Sequence, residues 1–153
     1  MPYSVLIFSY RKPGTTPEQF KAHYDDVHVH LIRELTGAFF PLSHTRRYLH
    51  RSEKETDSNT WRNPISPATV VIGTQEDFDY DAISELTFED EPAFQKFFEL
   101  MKQPENQARI AADEEKFVDR SRLSMVALGN TTETKRVQTT IGDWLNDKST
   151  TGN

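Results

Sequence analysis

Short apolar stretches alternate with amphipathic ones along the chain, and this order restricts the possible fold more than any other feature. Runs rich in β-branched and aromatic residues are typical of buried strands, whereas apolar residues three or four apart are typical of helices. The resulting order, β-α-β-β-α-α-β, predicts an α+β ferredoxin-like sandwich with helices on one face of a four-stranded sheet. The strands are predicted at 3–10, 44–51, 82–88 and 123–128, the helices begin near 16, 92 and 104, and 68–73 is either a short edge strand or an apolar loop.

The beginning of the first helix is the best-defined local signal in the sequence. Thr16 can cap the helix, Pro17 suits its first position, and Gln19 completes a capping box. Gly37 is the predicted end of this helix. The apolar residues between these limits predict one buried stripe, formed by Phe20, Tyr24, Val27, Leu31 and Leu35.

The length of 153 residues is that of one domain, which we place at residues 3–129. Residues 130–153 are predicted to form a polar C-terminal tail. Within the tail, Ile141, Trp144 and Leu145 have the spacing of one helical face. We therefore expect the segment 141–145 to dock weakly on the body of the protein.

Composition excludes several classes of function. The chain has no cysteine, which rules out disulfides, thiolate catalysis and cysteine-ligated zinc or iron–sulfur sites. Its net charge of −6 offers no electrostatic footprint for nucleic acid or anionic lipid. The apolar run Val5–Phe8 is too short for a signal or membrane segment, so a location in the cytoplasm is expected. No glycine-rich phosphate loop is present, and a nucleotide cofactor is not expected.

Histidine placement is the most informative chemical feature. All five histidines lie between His23 and His50, and imidazole is the side chain that gains or loses a proton near neutral pH. Tyr24 and His28 are four residues apart, so in a helix a phenol and an imidazole would share a face. The spacing matches no metal-binding motif, and no metal is expected. Histidines with a surface or structural role are the alternative interpretation.

The predicted second strand presents polar side chains on both faces, because alternate residues share a face. One face carries His44, Arg46, Tyr48 and His50, and the other carries Arg47 and Arg51. A buried arginine needs an anionic partner. That partner is either a carboxylate such as Glu85 on a neighbouring strand or a carboxylate or enolate of a substrate. Asp113, on a later helix, could point towards the histidines, although spacing alone does not establish this.

Three separated blocks of the sequence resemble the EthD domain family and occur in the order typical of that family. The blocks are 10–31, 80–94 and 112–119, and the resemblance extends roughly from Tyr3 to Gly129. It implies a homodimer that forms an α+β barrel, in which two ferredoxin-like sheets pack face to face. The motif histidine of the family corresponds to His28, and His30 stands where many relatives have proline.

The chain is most similar to the fungal branch of this family, through Phe40-Pro41 and His44-Thr45-Arg46. Several of those relatives are regarded as cofactor-free decarboxylases of anthrone-type carboxylic acids in aromatic polyketide pathways. The resemblance therefore implies a lyase that decarboxylates an aromatic or β-keto polyketide acid without a cofactor. His28 is the predicted acid–base group, assisted by His44 or His30.

The residues expected to bind the substrate have distinct roles. Arg46 and Tyr48 would orient its oxygens, Phe40 would line an apolar slot for the rings, and Tyr24 and Asp113 complete the predicted site. Two alternatives remain open from the sequence. The same pocket could dehydrate, cyclise or oxygenate a polyketide, or the protein could be a non-catalytic dimeric barrel that binds small molecules.

Overall fold

The computed structural model describes residues 1–52 and 66–137, and the structural statements below refer to that part of the chain. The predicted docking segment 141–145 lies outside the described residues. The described sheet has its first strand at Tyr3–Ser9 and its last at Ser124–Ala127. Both lie within the domain limits 3–129, which stay a prediction.

A four-stranded antiparallel sheet forms the centre of the fold, in the order β2-β3-β1-β4. Its strands are β1 (Tyr3–Ser9), β2 (Ser43–Tyr48), β3 (Ala82–Phe88) and β4 (Ser124–Ala127). The helices are α1 (Pro17–His23), α2 (Val29–Thr36), α3 (Glu91–Lys102) and α4 (Pro104–Glu114). This topology confirms the predicted ferredoxin-like α+β fold.

The largest difference from the predicted strands is at the end of β2. β2 ends at Tyr48, three residues before the predicted end, because the chain beyond it leaves the β3 ladder. Arg51 instead forms an isolated bridge with Ala68. Of the two predicted alternatives for residues 68–73, the structure shows the apolar loop. Separately, no described helix is long and apolar enough to cross a membrane.

Alternation along the strands separates a buried face from an open face. The buried face packs against the helices in two hydrophobic clusters. One is formed by Val5, Ile32, Leu86, Phe88, Phe97 and Ile110, and the other by Phe20, Tyr24, Val29, Ala82, Phe117 and Val118. The open face carries Leu6, Phe8 and Ile83 from the two central strands and Val126 from the edge strand β4. Val126 is half exposed, at 51%, so this face presents apolar surface.

The first helix begins as predicted. The Thr16 hydroxyl accepts a hydrogen bond from the backbone N–H of Gln19 at 3.1 Å, and the Gln19 side chain accepts one from the backbone N–H of Thr16 at 2.9 Å. This reciprocal pair satisfies two backbone donors at the end of the helix. The helical run ends at Gly37, whose φ of 51° lies in the region that glycine adopts without strain.

A π-helical turn at Tyr24–His28 joins α1 to α2. Within it, the backbone N–H of Val29 donates to the carbonyl oxygen of Tyr24, five residues earlier instead of the four of an α-helix. The turn therefore inserts one extra residue into an otherwise continuous helix. Such insertions are frequent at functional sites.

The extra residue changes which side chains of the helix are buried. The prediction that Val27 belongs to the buried stripe was wrong, because its side chain is 45% exposed. Val29 is buried in its place, five residues after Tyr24, and the buried face then continues at Ile32 and Thr36. The α-helical spacing fails at Val27, inside the π turn. Of the later positions in the predicted stripe, Leu31 is partly buried and Leu35, also partly buried, packs against the cluster around Val5 and Leu86.

The π turn leads to a test by deletion of Asp26, an exposed residue within it. Deletion favours an uninterrupted α-helix, in which Val29 would follow Tyr24 by four residues. Both side chains, and Ile32 after them, would therefore keep their buried positions. We expect the free energy of unfolding in urea, followed by circular dichroism, to stay within about 1 kcal/mol of the wild type.

The matched control is Asp26→Ala, which keeps the length of the turn. This substitution should change the free energy of unfolding by no more than about 0.5 kcal/mol, as is usual for exposed positions. A loss of about 3 kcal/mol or more in the deletion variant alone would show that Val29 and Ile32 leave the core, and would contradict the role of the π turn as a one-residue insertion.

Candidate active site

A buried carboxylate on α4 connects two of the histidines. Asp113 is 5% exposed. Its Oδ1 atom lies 2.8 Å from Nε2 of His23, and its Oδ2 atom lies 2.8 Å from Nδ1 of His28. Because an ionised carboxylate only accepts hydrogen bonds, both of these ring nitrogens carry a hydrogen. The sequence did not establish where the Asp113 side chain points. In the structure, it points towards the histidines.

The contact with Asp113 fixes the orientation of the His28 ring. Since Nδ1 of His28 is held, Nε2 is the nitrogen that remains for chemistry, and the ring lines a cavity. Phe117 supports both imidazoles from behind, with ring centroids 4.5 Å from His23 and 5.1 Å from His28. Phe117 is itself 2% exposed, so both imidazoles pack against a buried ring.

The cavity beside His28 has a volume of about 180 Å³. Its walls are mainly apolar, and its polar groups come from Ser9, Tyr24, His28, Glu114 and Ser124. Drug-sized ligands usually occupy cavities of about 300–1,000 Å³. The space therefore suits one ring or a short chain. The apolar wall consists of Ile7, Met101, Phe117, Val118, Leu123 and Met125.

Tyr24 places a second polar group in the cavity. Its hydroxyl lies 2.9 Å from the Ser84 hydroxyl and 3.4 Å from Nε2 of His44. Burial raises the pKa of Tyr24, so at neutral pH the phenol keeps its proton. A neutral phenol at this point can donate a hydrogen bond to an oxygen on which negative charge develops.

Burial also keeps two histidines neutral. It lowers the pKa of His28, although the hydrogen bond to Asp113 acts in the opposite direction. For His44, burial and then the nearby charge of Arg46 lower the pKa to about 4. Within the described residues, Nδ1 of His44 is buried without a hydrogen-bond partner, which also disfavours the charged ring.

Asp25 engages the two side chains that were predicted to orient a substrate. Its Oδ1 atom accepts hydrogen bonds from Nε of Arg46 at 2.7 Å and from the Tyr48 hydroxyl at 2.6 Å. Lys21 binds the other oxygen at 2.6 Å. Partial burial opposes ionisation of Asp25, but these hydrogen bonds outweigh it and lower its pKa to about 2. The network ties the π turn to β2.

The predicted site residues separate into two groups. His28 and Tyr24 line the cavity, and Asp113 holds His28 from behind. His44, Arg46 and Tyr48 share the face of β2 that points towards the helices, as predicted, but they do not line this cavity. Phe40 packs between the two hydrophobic clusters, and His30 is exposed on α2. The structure thus brings neither Phe40 nor His30 to the cavity.

Other polar residues have structural partners. Nε of Arg51 lies 2.9 Å from the buried carboxylate of Asp81, while exposed Arg47 approaches Glu85 only to 3.9 Å. The anionic partner of the buried arginine is therefore a carboxylate of the chain, although a different one from the Glu85 named as an example. Among the described residues, no group of three or more His, Asp or Glu side chains could hold a metal ion.

Sequence reasoning missed Ser9, Glu114 and Met125 as cavity residues. Ser9 and Met125 lie on β1 and β4, which pair in the sheet, and Glu114 is the last residue of α4. Their closeness results from the sheet order, which local sequence patterns do not specify. A small polar residue at the end of an apolar strand, such as Ser9, is the one signal that could have marked the cavity.

The lowered pKa of His44 predicts a loss of stability in acid. The folded-state pKa of about 4 lies below the ordinary value of 6.5, so unfolding takes up a proton between these limits. The contribution of His44 is present above pH 6.5 and is lost as the pH falls towards 4. One pKa unit corresponds to about 1.4 kcal/mol. When the pH falls from 7 to 5, the free energy of unfolding should therefore decrease by about 1–2 kcal/mol less in His44→Gln than in the wild type.

Urea unfolding at both pH values measures this difference. His30→Gln is the control, because His30 is exposed on α2 and should leave the pH dependence as in the wild type. An unchanged pH dependence in His44→Gln would show that the buried ring of His44 does not oppose protonation.

Comparisons with known structures and families complete this description. An EthD family protein from Bacillus halodurans is 18% identical, with a TM-score of 0.48 over 84% of this chain and 99% of that chain. A protein from Arabidopsis thaliana is 12% identical, with a TM-score of 0.48 over 87% and 99%. A dimeric ferredoxin-like protein of unknown function from Thermobifida fusca is 10% identical, with a TM-score of 0.45 over 85% and 92%.

No curated protein matches the chain. The model of the EthD domain matches residues 12–121. That range contains His28, Tyr24 and Asp113 as well as α1 to α4. Because the match spans well over half of the sequence, this protein belongs to the EthD domain family.

Proposed function

We propose that this protein is a cofactor-free decarboxylase of an apolar carboxylic acid, with His28 as the acid–base group. One observation carries the proposal: the Asp113 carboxylate holds Nδ1 of His28, which leaves Nε2 for chemistry in a mainly apolar cavity. A histidine oriented by a carboxylate is a common arrangement for proton transfer. The low polarity of the cavity strengthens every charge interaction inside it.

In the proposed reaction, one proton passes from His28 to the substrate. When the substrate carboxylate enters, its negative charge favours a proton on Nε2 of His28. Cleavage of the carbon–carbon bond then releases CO₂ and leaves the electron pair on the substrate as an enolate or carbanion. The Tyr24 phenol can donate a hydrogen bond to the enolate oxygen. Transfer of the proton from Nε2 to the substrate carbon gives the product and neutral imidazole.

Cavity size bears on the class of substrate. A cavity volume of about 180 Å³ suits the reacting end of an aromatic or β-keto polyketide acid better than a whole fused-ring system. Leu123 and Met125, which line the cavity, are 39% and 40% exposed. We propose that these two side chains contact the part of a larger acid that extends out of the cavity.

The remaining predicted residues have supporting roles in this proposal. Arg46 and Tyr48 bind Asp25 and thereby hold the π turn that carries Tyr24 and His28. His44 borders the Tyr24 hydroxyl and, being neutral, can donate a hydrogen bond from Nε2 to the hydroxyl oxygen, which leaves the phenol proton for the substrate. These residues fix the position of the catalytic groups, whereas the substrate contacts fall to His28 and Tyr24.

The direct test measures CO₂ release from two acids, a one-ring aromatic β-keto acid and an anthrone carboxylic acid. We expect His28→Gln to lower the rate by about 10²–10⁴, the usual contribution of one acid–base group. His50→Gln is the matched control, because His50 bonds to Thr69 outside the cavity and should leave the rate unchanged. Loss of water or uptake of O₂ without CO₂ release would favour the dehydratase, cyclase or oxygenase alternatives.

The pH dependence separates proton delivery from proton abstraction. Delivery requires a proton on His28 while the substrate is ionised, so kcat/KM should fall as the pH rises above the pKa of free His28. Burial keeps that pKa below the ordinary value of 6.5. We therefore expect a higher kcat/KM at pH 6 than at pH 8. A rate that rises with pH over this range would instead identify His28 as a base, as dehydration or cyclisation requires.

We also propose that the protein forms a homodimer through the open face of the sheet. Leu6 lies beside Val126 on that face, and Val126 is 51% exposed. Leu6→Lys should shift the sedimentation profile at micromolar concentration towards the monomer. Its new charge lies beside Glu85, so the isolated subunit should tolerate it. The control with the same change of charge is Gln107→Lys on exposed α4, and a monomeric wild type would contradict the proposal.

A further inference from the structure

We propose that His23 is a positioning residue, which sets the proton affinity of His28 by sharing the Asp113 carboxylate with it. The inference rests on the proposed acid–base role of His28 and extends it to a residue that does not line the cavity. His23 was not among the predicted site residues. It enters the argument only through the geometry around Asp113.

The hydrogen-bond geometry is nearly symmetric. Each oxygen of Asp113 lies 2.8 Å from one imidazole nitrogen, Oδ1 from His23 and Oδ2 from His28. The side chain of His23 is 20% exposed, whereas that of His28 is 12% exposed. His23 thus contacts both the carboxylate and the solvent, and its ring is stacked on Phe117. This position lets it act on His28 through Asp113 without contact with a substrate.

The physical reason is competition for one negative charge. A donor on Oδ1 withdraws electron density from the carboxylate, and Oδ2 then attracts the proton-bearing form of His28 less strongly. In a buried position this charge is weakly screened by solvent, so the effect on His28 is large compared with the same contact at the surface. Without the His23 donor, Asp113 would hold protonated His28 more tightly.

Other groups also act on His28 and stay constant in the comparison. Glu114 and Asp113 approach it from α4, and His23 from α1. From β2, His44 is coupled to His28, and Arg46 acts in turn on His44. Tyr24 contacts the His28 ring edge-on, with centroids 5.6 Å apart. Substitution of His23 alone leaves all these groups unchanged, so a changed titration of His28 can be assigned to the lost donor.

Two variants isolate the N–H donor. His23→Phe keeps a planar ring next to Phe117 and removes the donor, whereas His23→Gln offers a side-chain N–H again. In substrate-free protein, NMR titration of the His28 ring should give a midpoint about 0.5–1 pH unit higher in His23→Phe, a three- to tenfold increase in proton affinity. His23→Gln should return the midpoint to within about 0.3 unit of the wild type.

A midpoint that is unchanged or lower in folded His23→Phe would overturn the proposal, because a merely structural His23 would alter stability and not titration. The wild type provides a second test that needs no variant. Its ring ¹⁵N shifts should show that Nε2 of His23 carries a hydrogen, and an Nε2 without a hydrogen would also overturn the proposal. Both tests work without substrate, so their outcome is independent of whether decarboxylation is observed.

The enzymatic consequence is a shift of the pH profile. In His23→Phe, kcat/KM should begin to fall at a pH about 0.5–1 unit higher than in the wild type, and His23→Gln should restore the original profile. A profile that stays in place while the NMR midpoint moves would separate the role of His23 from catalysis and would refute the catalytic part of the inference.

Discussion

The candidate site depends on one buried carboxylate. Asp113 links α4 to two imidazoles on the opposite helical run, and each contact is at full hydrogen-bond strength by distance. If the carboxylate were removed, two largely buried ring N–H groups would lose their acceptor, and such groups cost about 1–3 kcal/mol each when unsatisfied. The same residue therefore contributes to the packing of the helices and to the orientation of the one imidazole nitrogen that is left for chemistry.

Two constraints meet in the helical run between Thr16 and Gly37. Its first part must present His23, Tyr24 and His28 to α4 and the sheet, while its second part must bury Val29 and Ile32. A regular α-helix of this sequence cannot satisfy both constraints. The π turn resolves the conflict by adding one residue, and the Asp25 contacts to β2 stabilise the turn from the side opposite to the cavity.

Sequence patterns predicted what depends on neighbouring residues. The capping box at Thr16, the end of the helix at Gly37 and the order of strands and helices are local or periodic signals, and the structure confirms them. The shared face of His44, Arg46 and Tyr48 also follows from simple alternation. The partners of those side chains did not follow from it, because Asp25 reaches Arg46 and Tyr48 from another element.

The position of His30 is a further case in which spacing was insufficient. It lies two residues from His28, and proximity in sequence made it a candidate to assist catalysis. The two residues differ by about 200° in direction on a helix, and His30 consequently faces solvent. The contacts of Asp113 were equally beyond local patterns, since 85 residues separate it from His28.

The π turn also has a consequence for chain length. Tyr24 at the start of the turn and Val29 after it belong to the same hydrophobic cluster beside the cavity, and Ile32 belongs to the other cluster. The turn holds one residue more than an α-helix needs between Tyr24 and Val29. The helix can therefore lose one residue at this point without changing which side chains face either cluster, so related sequences that are one residue shorter here can keep the same core.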